Sequence, residues 1–339
     1  MHMQGPKAKA VGLGALIAFL VAVPFFISTY NTHVAILLFI NIILVSSFRL
    51  ITTTGGWNLS HVPLMGLGAY ISAILAKSYG LPFWVTLPMA GLGVAAAGLV
   101  FSLPLRRTKG LAFFIASFAA GEALRLSWTR LIVPFGGHRG VYLIPAPDFS
   151  PIPGLQSVDF VQPMPYYMLA LSVMVVCLLI MYRVDTSRIG HTFKALYSEG
   201  SLAKSVGVDI PGYKTLAFVI GALFAGIAGG LLAHYMRAID PSSFGFTATL
   251  YLLVWAIFGG THSFAGPIVG VTVLTVLHTI LEGAMSSEWI PLVYGIILIV
   301  TLVFLPGGIE SLPERLRTSK SLQALRARWV SRKGDYESA

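Results

Sequence analysis

The chain has 339 residues, of which 56% are hydrophobic and only 11% carry a charge, with a mean hydropathy of +0.80. Soluble domains carry about a quarter charged residues, so this composition excludes a water-soluble fold. The net charge of +10 would suggest nucleic acid in a soluble chain, and the single cysteine excludes an intrachain disulfide. About ten membrane helices of roughly 20 residues fit into this length with short loops. We therefore predict an all-α, polytopic integral membrane protein.

Ten apolar segments with few charges follow one another along the chain. They lie near residues 10–30, 34–51, 62–79, 83–104, 110–133, 162–182, 214–236, 244–259, 266–283 and 289–306. The stretch from Pro241 to Leu281 has no charged side chain over 41 residues and is interrupted by glycines and by Pro267. It is predicted to form either two helices or two re-entrant halves. The first segment lacks a small-residue cleavage site, so we expect a retained helix rather than a signal peptide.

The Lys and Arg residues are distributed unevenly between these segments. With ten crossings, 18 of the 23 fall on the side of the N-terminus, four on the opposite side and Arg125 within a segment. Cytoplasmic loops carry an excess of Lys and Arg, so we expect both termini in the cytoplasm of a bacterial or archaeal cell. The positive charge is thus a topology signal, and no nucleic-acid partner is predicted. Residues 1–310 are predicted to form the transmembrane domain and residues 311–339 a basic cytoplasmic tail.

A cytoplasmic loop over residues 183–214 is longer than a connection requires. Within it, the pattern from Thr192 to Val206 predicts an amphipathic helix, with Gly207 as its stop. Its apolar residues are Phe193, Leu196, Tyr197 and Ala203. This apolar stripe is expected to meet either lipid headgroups or a cytoplasmic partner protein.

On the other side of the membrane, residues 134–163 form a loop that contains six prolines. Proline restricts the backbone to extended and turn conformations, so we expect this loop to be ordered. It either presents a surface to an external protein or caps the helix ends.

Small residues four apart in the segment near 214–236 predict a face against which a second helix packs closely. They are Gly221, Ala225, Gly226, Gly229 and Gly230.

Polar side chains and helix breakers interrupt the apolar pattern between residues 55 and 63. Non-helical backbone at membrane depth is tolerated where it is buried in protein or lines a cavity. Trp57, Asn58, Ser60 and His61 are therefore candidates for a substrate pathway, and an ordinary interfacial loop is the alternative. Glu122 is a further candidate, although with Arg125 three residues later it could equally form a structural ion pair.

No pattern in the sequence indicates an enzyme. The segment Gly207 to Thr215 resembles a phosphate-binding loop, but Tyr213 is inserted before the Lys and no strand precedes it. Neither metal-ligand spacing nor a nucleophile elbow occurs. We therefore predict a transport subunit without catalytic residues, metal site or cofactor of its own.

Several motifs resemble the permease subunits of the branched-chain (hydrophobic) amino acid uptake family of ABC transporters, over about residues 55–309. The segment from Gly55 to His61 is similar to a Gly-rich segment of that family, and Pro306-Gly307-Gly308 to its final turn. The most specific match runs from Arg188 to Leu196 and continues through Gly207.

This resemblance implies a heterodimeric permease core in the inner membrane, with two cytoplasmic subunits that bind ATP and Mg²⁺ and an external solute-binding protein. The amphipathic helix would then be the coupling helix that docks on an ATPase subunit. Its implied coupling residues are Arg188, Gly190, Lys194, Ala195, Leu196, Glu199 and Gly207. Tyr197 stands where the family often has Arg, and Gly200 follows Glu199 where an acid is more usual, so a specialised ATPase contact is expected. Urea, short amides and other small organic acids stay open as substrates beside branched-chain amino acids. A secondary transporter driven by an ion gradient is the alternative function; it predicts inverted repeats, and no clear repeat is found.

Overall fold

The computed structural model describes residues 18–26, 28–105, 108, 110–148, 159–205 and 207–312, without the side chains of residues 199–201, 204 and 287. Across these ranges the chain forms ten α-helices, a further helical stretch at residues 18–22 and a single two-stranded sheet. The helices are α1 (Thr29–Thr52), α2 (His61–Tyr79), α3 (Phe83–Leu105), α4 (Leu111–Arg130), α5 (Pro163–Asp185), α6 (Arg188–Ser205), α7 (Ile210–Met236), α8 (Phe246–Gly259), α9 (Gly266–Ala284) and α10 (Ile290–Phe304). The strands are β1 (Val141–Tyr142) and β2 (Ala238–Ile239). The predicted all-α membrane fold is confirmed.

Eight segments of the described chain are long and apolar enough to cross a membrane. They comprise α1, α3, α4, α5, α7, α9 and two segments that contain α8 and α10. Helix α2, with 19 residues, is less apolar because it carries His, Ser and Tyr side chains, and it packs against α3 and α7. The first predicted span lies mainly outside the described residues; of it, residues 18–22 are helical. The expected number of about ten crossings is therefore an approximation.

The chain divides into two compact units, Met1–Thr249 and Leu250–Ala339. In the first unit, α7 packs against α1, α2 and α3. A Cβ atom built on Gly229 of α7 would lie 1.9 Å from the carbonyl oxygen of Met65 in α2, and one built on Gly68 would lie 2.4 Å from the carbonyl oxygen of Gly226. Because only glycine permits this approach, the small residues of α7 set the distance between the two helices.

The loop between α4 and α5 is tied to the helix ends over its described part, residues 131–148. Strand β1 pairs antiparallel with β2, with Val141 opposite Ile239. The Lys77 Nζ donates a hydrogen bond to the Tyr142 carbonyl (2.6 Å). After β2, burial alone would raise the pKa of Asp240, but hydrogen bonds from Ser242 and Ser243 outweigh it and lower that pKa. Residues 149–158 of the predicted ordered loop lie outside the described residues.

In the second unit, the long charge-free stretch consists of two helices joined by a short turn at residues 260–265. Glu310 holds this turn. Its carboxylate accepts hydrogen bonds from the backbone N–H groups of His262 (2.7 Å) and Ser263 (2.9 Å), and from the Ser263 hydroxyl. The backbone donors that precede α9 are thereby satisfied by a residue beyond α10.

Candidate functional site at the α1–α2 break and helix α6

The break between α1 and α2 begins at a run of threonines. The hydroxyls of Thr52, Thr53 and Thr54 donate to the carbonyls of Arg49, Leu50 and Ile51, at 2.8–2.9 Å. Threonine side chains that bond the preceding turn compete with the regular helix ladder. The helix ends here, and Gly55 follows with a positive φ of 84°.

Asn58 organises the buried part of the break. Its Oδ1 accepts hydrogen bonds from the backbone N–H (3.1 Å) and the hydroxyl (2.6 Å) of Ser60. The backbone N–H of Leu59 donates to the Ser117 hydroxyl in α4 (3.0 Å). Asn58 and Ser60 are both fully buried, and the Asn58 Nδ2 makes no hydrogen bond within the described part of the chain. A buried amide donor without a partner is costly, which marks this position as a candidate ligand contact.

His61, the first residue of α2, faces α1. Its Nε2 lies 2.8 Å from the Ser47 hydroxyl oxygen. That hydroxyl donates its one hydrogen to the Leu44 carbonyl (2.8 Å), so the His61 Nε2–H is the donor to Ser47. The ring of Phe48 lies between those of Trp57 and His61, with centroid distances of 5.9 and 5.6 Å. The structure thus brings Trp57, Asn58, Ser60 and His61 together at one buried site.

Glu122 lies on α4, next to Gly121, which approaches the break. The Glu122 side chain itself pairs with Arg125. It forms an ion pair with Arg125 one turn later (2.7 Å), and both side chains are about 20% exposed. The neighbouring Gly121 approaches the break, since a Cβ built on it would lie 2.9 Å from the Ser60 Cα. The ion pair of Glu122 with Arg125 is therefore present, and α4 contacts the break through Ser117 and Gly121.

Helix α6 has one face against the rest of the chain and one face open. Phe193, Leu196 and Ala203 are buried, with Phe193 against Tyr213 of α7. The expectation that this apolar stripe meets lipid or a partner protein is therefore wrong for these three residues, because they are buried within the chain itself. The open face carries Arg188, Ala195 and Leu202.

The implied coupling residues occupy different positions on α6. Gly190 lies so close to the preceding helix that a Cβ would be 2.3 Å from the Asp185 carbonyl oxygen. Lys194 contacts the Asp185 side chain, and Leu196 belongs to the buried face. Gly207 follows the end of the helix with a positive φ of 86°. The side chain of Glu199 lies outside the described residues.

Two further charged residues join α6 to the break. The Arg49 Nη1 lies 2.9 Å from the Asp185 Oδ1, and the Lys194 Nζ lies 2.9 Å from the Asp185 Oδ2. Arg49 is 1% exposed and stands one turn before the end of α1. We call Arg49, Asp185 and Lys194 the Asp185 junction. Helix α6 also approaches the break directly, because a Cβ built on Gly55 would lie 3.9 Å from the Tyr197 ring.

A cavity of about 30 Å³ lies beside the break, lined by residues that include Thr54, Gly55, Phe113 and Lys214. Liquid water occupies about 30 Å³ per molecule, so this space admits water and excludes an amino acid. In the part of the chain that the structure describes, no group of three or more His, Cys, Asp or Glu residues could hold a metal ion.

Comparison with known proteins identifies the family. Residues 30–302 match the model of the family described as branched-chain amino acid transport system / permease component. The chain belongs to this family of permeases. The matched range contains α2 to α9 and nearly all of α1 and α10, and therefore the whole candidate site.

Individual relatives agree with this assignment. The permease is 28% identical to the high-affinity branched-chain amino acid transport system permease protein LivM of Salmonella typhimurium, over 95% of this chain and 82% of the relative. It is 29% identical to LivM of Escherichia coli, over 88% and 74% of the two chains. The probable branched-chain amino acid transport permease protein LivH of Methanocaldococcus jannaschii is 24% identical, over 72% and 79%. No solved structure matches the chain.

Sequence reasoning missed the central residues of the junction. Arg49 was assigned only to the count of cytoplasmic charges, and Asp185 was passed over in the loop at 183–214. The sequence does contain a signal for Asp185. It is an acidic residue at the end of an apolar segment, where the neighbouring charged residues are basic. The permease buries this acid by pairing it with two cations, which lets α5 continue to Asp185.

Proposed function

We propose that this permease forms one half of the membrane pathway of an ABC importer. Its partners are a second permease subunit, two cytoplasmic subunits that hydrolyse ATP with Mg²⁺, and an external solute-binding protein. The substrate is a branched-chain amino acid or a related small polar solute. The names of its LivM relatives support this substrate, and the separate LivH relatives, one of them 32% identical over 128 residues, support a pair of unlike permeases.

The orientation follows from the distribution of charge. The inner membrane of a bacterial or archaeal cell would hold the chain with both termini in the cytoplasm, because the Lys and Arg residues are concentrated on that side. Residues 1–310 form the transmembrane permease domain and residues 311–339 a basic cytoplasmic tail, of which 313–339 lie outside the described residues. The proline-rich loop at 134–163 then faces the solute-binding protein.

The observation that carries the ATP-driven mechanism is the divided surface of α6. One face is fixed against α7, while the face with Arg188, Ala195 and Leu202 is open. A helix of this kind can bind a partner protein on its exposed face. When the partner displaces the helix, the fixed face transmits that displacement to the transmembrane helices. We assign the open face of α6 to the ATPase subunit.

The experiment replaces Ala195 by Trp and measures how much ATPase subunit co-purifies with the full complex. A large side chain in the centre of the open face would prevent docking, so the ATPase recovered is expected to fall by about tenfold, which corresponds to about 1.4 kcal/mol. Ala112→Trp is the matched control, since Ala112 is also exposed and begins α4. Equal recovery with Ala195→Trp and with the wild type would refute the assignment.

A further inference from the structure

The Asp185 junction gathers three helices onto one carboxylate. Arg49 comes from α1, Asp185 is the last residue of α5, and Lys194 lies in α6. The two oxygens are divided, with Oδ1 on Arg49 and Oδ2 on Lys194, each at 2.9 Å. The Lys194 Nζ also donates to the Asp185 backbone carbonyl (3.2 Å). Side-chain bonds to one carboxylate therefore join the three helices.

Burial makes this link stiff. The Arg49 side chain is 1% exposed and the Asp185 side chain 7%, whereas the Lys194 side chain is 40% exposed. Separating a buried ion pair leaves an uncompensated charge away from water, which is strongly unfavourable. Arg49 and Asp185 are therefore expected to move together. Lys194 connects this buried pair to α6, which carries the open face with Arg188, Ala195 and Leu202.

At its other end, the junction adjoins the break. Arg49 precedes the break by one helical turn, and its carbonyl accepts hydrogen bonds from the Thr52 hydroxyl and the Thr53 backbone N–H, both at 2.9 Å. Phe48, the residue before Arg49, contacts Trp57 and His61. A displacement of Arg49 therefore acts on the segment that holds the candidate pathway residues.

We propose that Asp185 is a positioning residue that transmits the movement of α6 to the α1–α2 break. This inference rests on the proposed function, because it takes the ATPase subunit as the source of the movement. When that subunit displaces α6, Lys194 moves with the helix and displaces Asp185. Asp185 in turn displaces Arg49, and with it the end of α1. The break then changes its packing against Ser117 and Gly121 of α4.

A purely structural anchor would give a different result from a transmitting residue. Loss of an anchor lowers the amount of assembled complex, and the complex that remains transports normally. Loss of a transmitting residue leaves the rate of ATP hydrolysis unchanged but lowers the transport that this hydrolysis drives. The quantity that distinguishes the two is the number of solute molecules taken up per ATP hydrolysed, measured on equal amounts of assembled complex.

The test uses Asp185→Asn in the complete complex with both permeases, the ATPase subunits and the solute-binding protein, reconstituted into vesicles and supplied with radiolabelled leucine. The neutral amide keeps the size of the side chain and removes the charge that holds both cations. We expect uptake per ATP to fall by about tenfold, within the usual range of coupling between sites. Asp185→Glu, which restores the carboxylate, is expected to recover part of the ratio.

Asp209→Asn is the matched control. It makes the same chemical change on an exposed residue before α7, outside the junction, and should leave the ratio unchanged. If Asp185→Asn does not assemble, Lys194→Met provides the test, because Lys194 is partly exposed and its removal leaves the Arg49–Asp185 pair intact. The same fall in uptake per ATP is expected, by about fivefold.

Two results would overturn the inference, and they separate it from the proposed function. If the wild-type complex couples ATP to uptake and both junction variants keep the wild-type ratio, the Asp185 junction is only an anchor and the proposed function stands. If the wild-type complex takes up solute without ATP, the proposed function fails and this inference fails with it.

Discussion

His61 at the start of α2 donates a hydrogen bond from its Nε2 to the Ser47 hydroxyl on α1, over 2.8 Å. The two helices on either side of the break are therefore joined by a side-chain bond inside the candidate pathway. The bond fixes the orientation of the first turn of α2. It also defines what a replacement at position 61 must supply, namely an N–H donor.

We predict that His61→Gln keeps most of the transport, because a Gln amide can donate to Ser47, and that His61→Glu loses it, because a carboxylate only accepts. His61→Ala leaves Ser47 without this donor and should lower the stability by about 1–3 kcal/mol. Thermal unfolding in detergent and vesicle uptake measure the two effects. His138→Ala is the control, since His138 is exposed between α4 and β1. Equal uptake by the Gln and Glu variants would contradict the role of the donor.

The close contact of α7 with α2 makes a second prediction. A methyl group on Gly229 has no room beside the Met65 carbonyl, so Gly229→Ala must push the two helices apart. Overpacking of this kind costs about 1–3 kcal/mol, which thermal unfolding will detect as a lower midpoint. Gly283→Ala in α9 is the matched control because no atom lies within 4 Å of its added Cβ. A midpoint for Gly229→Ala equal to that of the control would show that the contact is not tight.

A third prediction concerns the loop between α4 and α5. His234 in α7 donates from Nδ1 to the Pro145 carbonyl (2.8 Å), and its Nε2 lies 3.0 Å from the Ser72 hydroxyl oxygen. Because this histidine joins the loop to α2 and α7, His234→Ala should release the loop. Proteolysis of intact vesicles from the loop side should then cut the chain about five- to tenfold faster, as expected for losing one or two buried hydrogen bonds. An unchanged cleavage rate in His234→Ala would show that other contacts hold the loop.

The helix limits could be predicted from the sequence because the breakers are local. Gly80 ends α2 and adopts a left-handed conformation, and Pro163 begins α5. For most spans, the predicted and observed limits differ by a few residues. The long apolar stretch was similarly divided at the glycines and the proline that separate α8 from α9.

The Asp185 junction could not be predicted in this way. Arg49 and Asp185 are 136 residues apart, and no local pattern connects an Arg at one helix end with an Asp at another. Periodicity likewise showed which residues of α6 share a face, but not that α7 covers this face. Both features depend on tertiary packing, which arranges helices that are distant in the sequence.

The most direct test of the central claim is uptake by vesicles that contain the complete complex. ATP enclosed on the side of the ATPase subunits should drive accumulation of radiolabelled leucine when the solute-binding protein is present on the opposite side. Replacing ATP with a non-hydrolysable analogue should abolish accumulation, while a protonophore should leave it unchanged. Uptake by vesicles that lack the ATPase subunits, with loss of uptake on addition of the protonophore, would contradict the account and identify an ion-gradient-driven transporter.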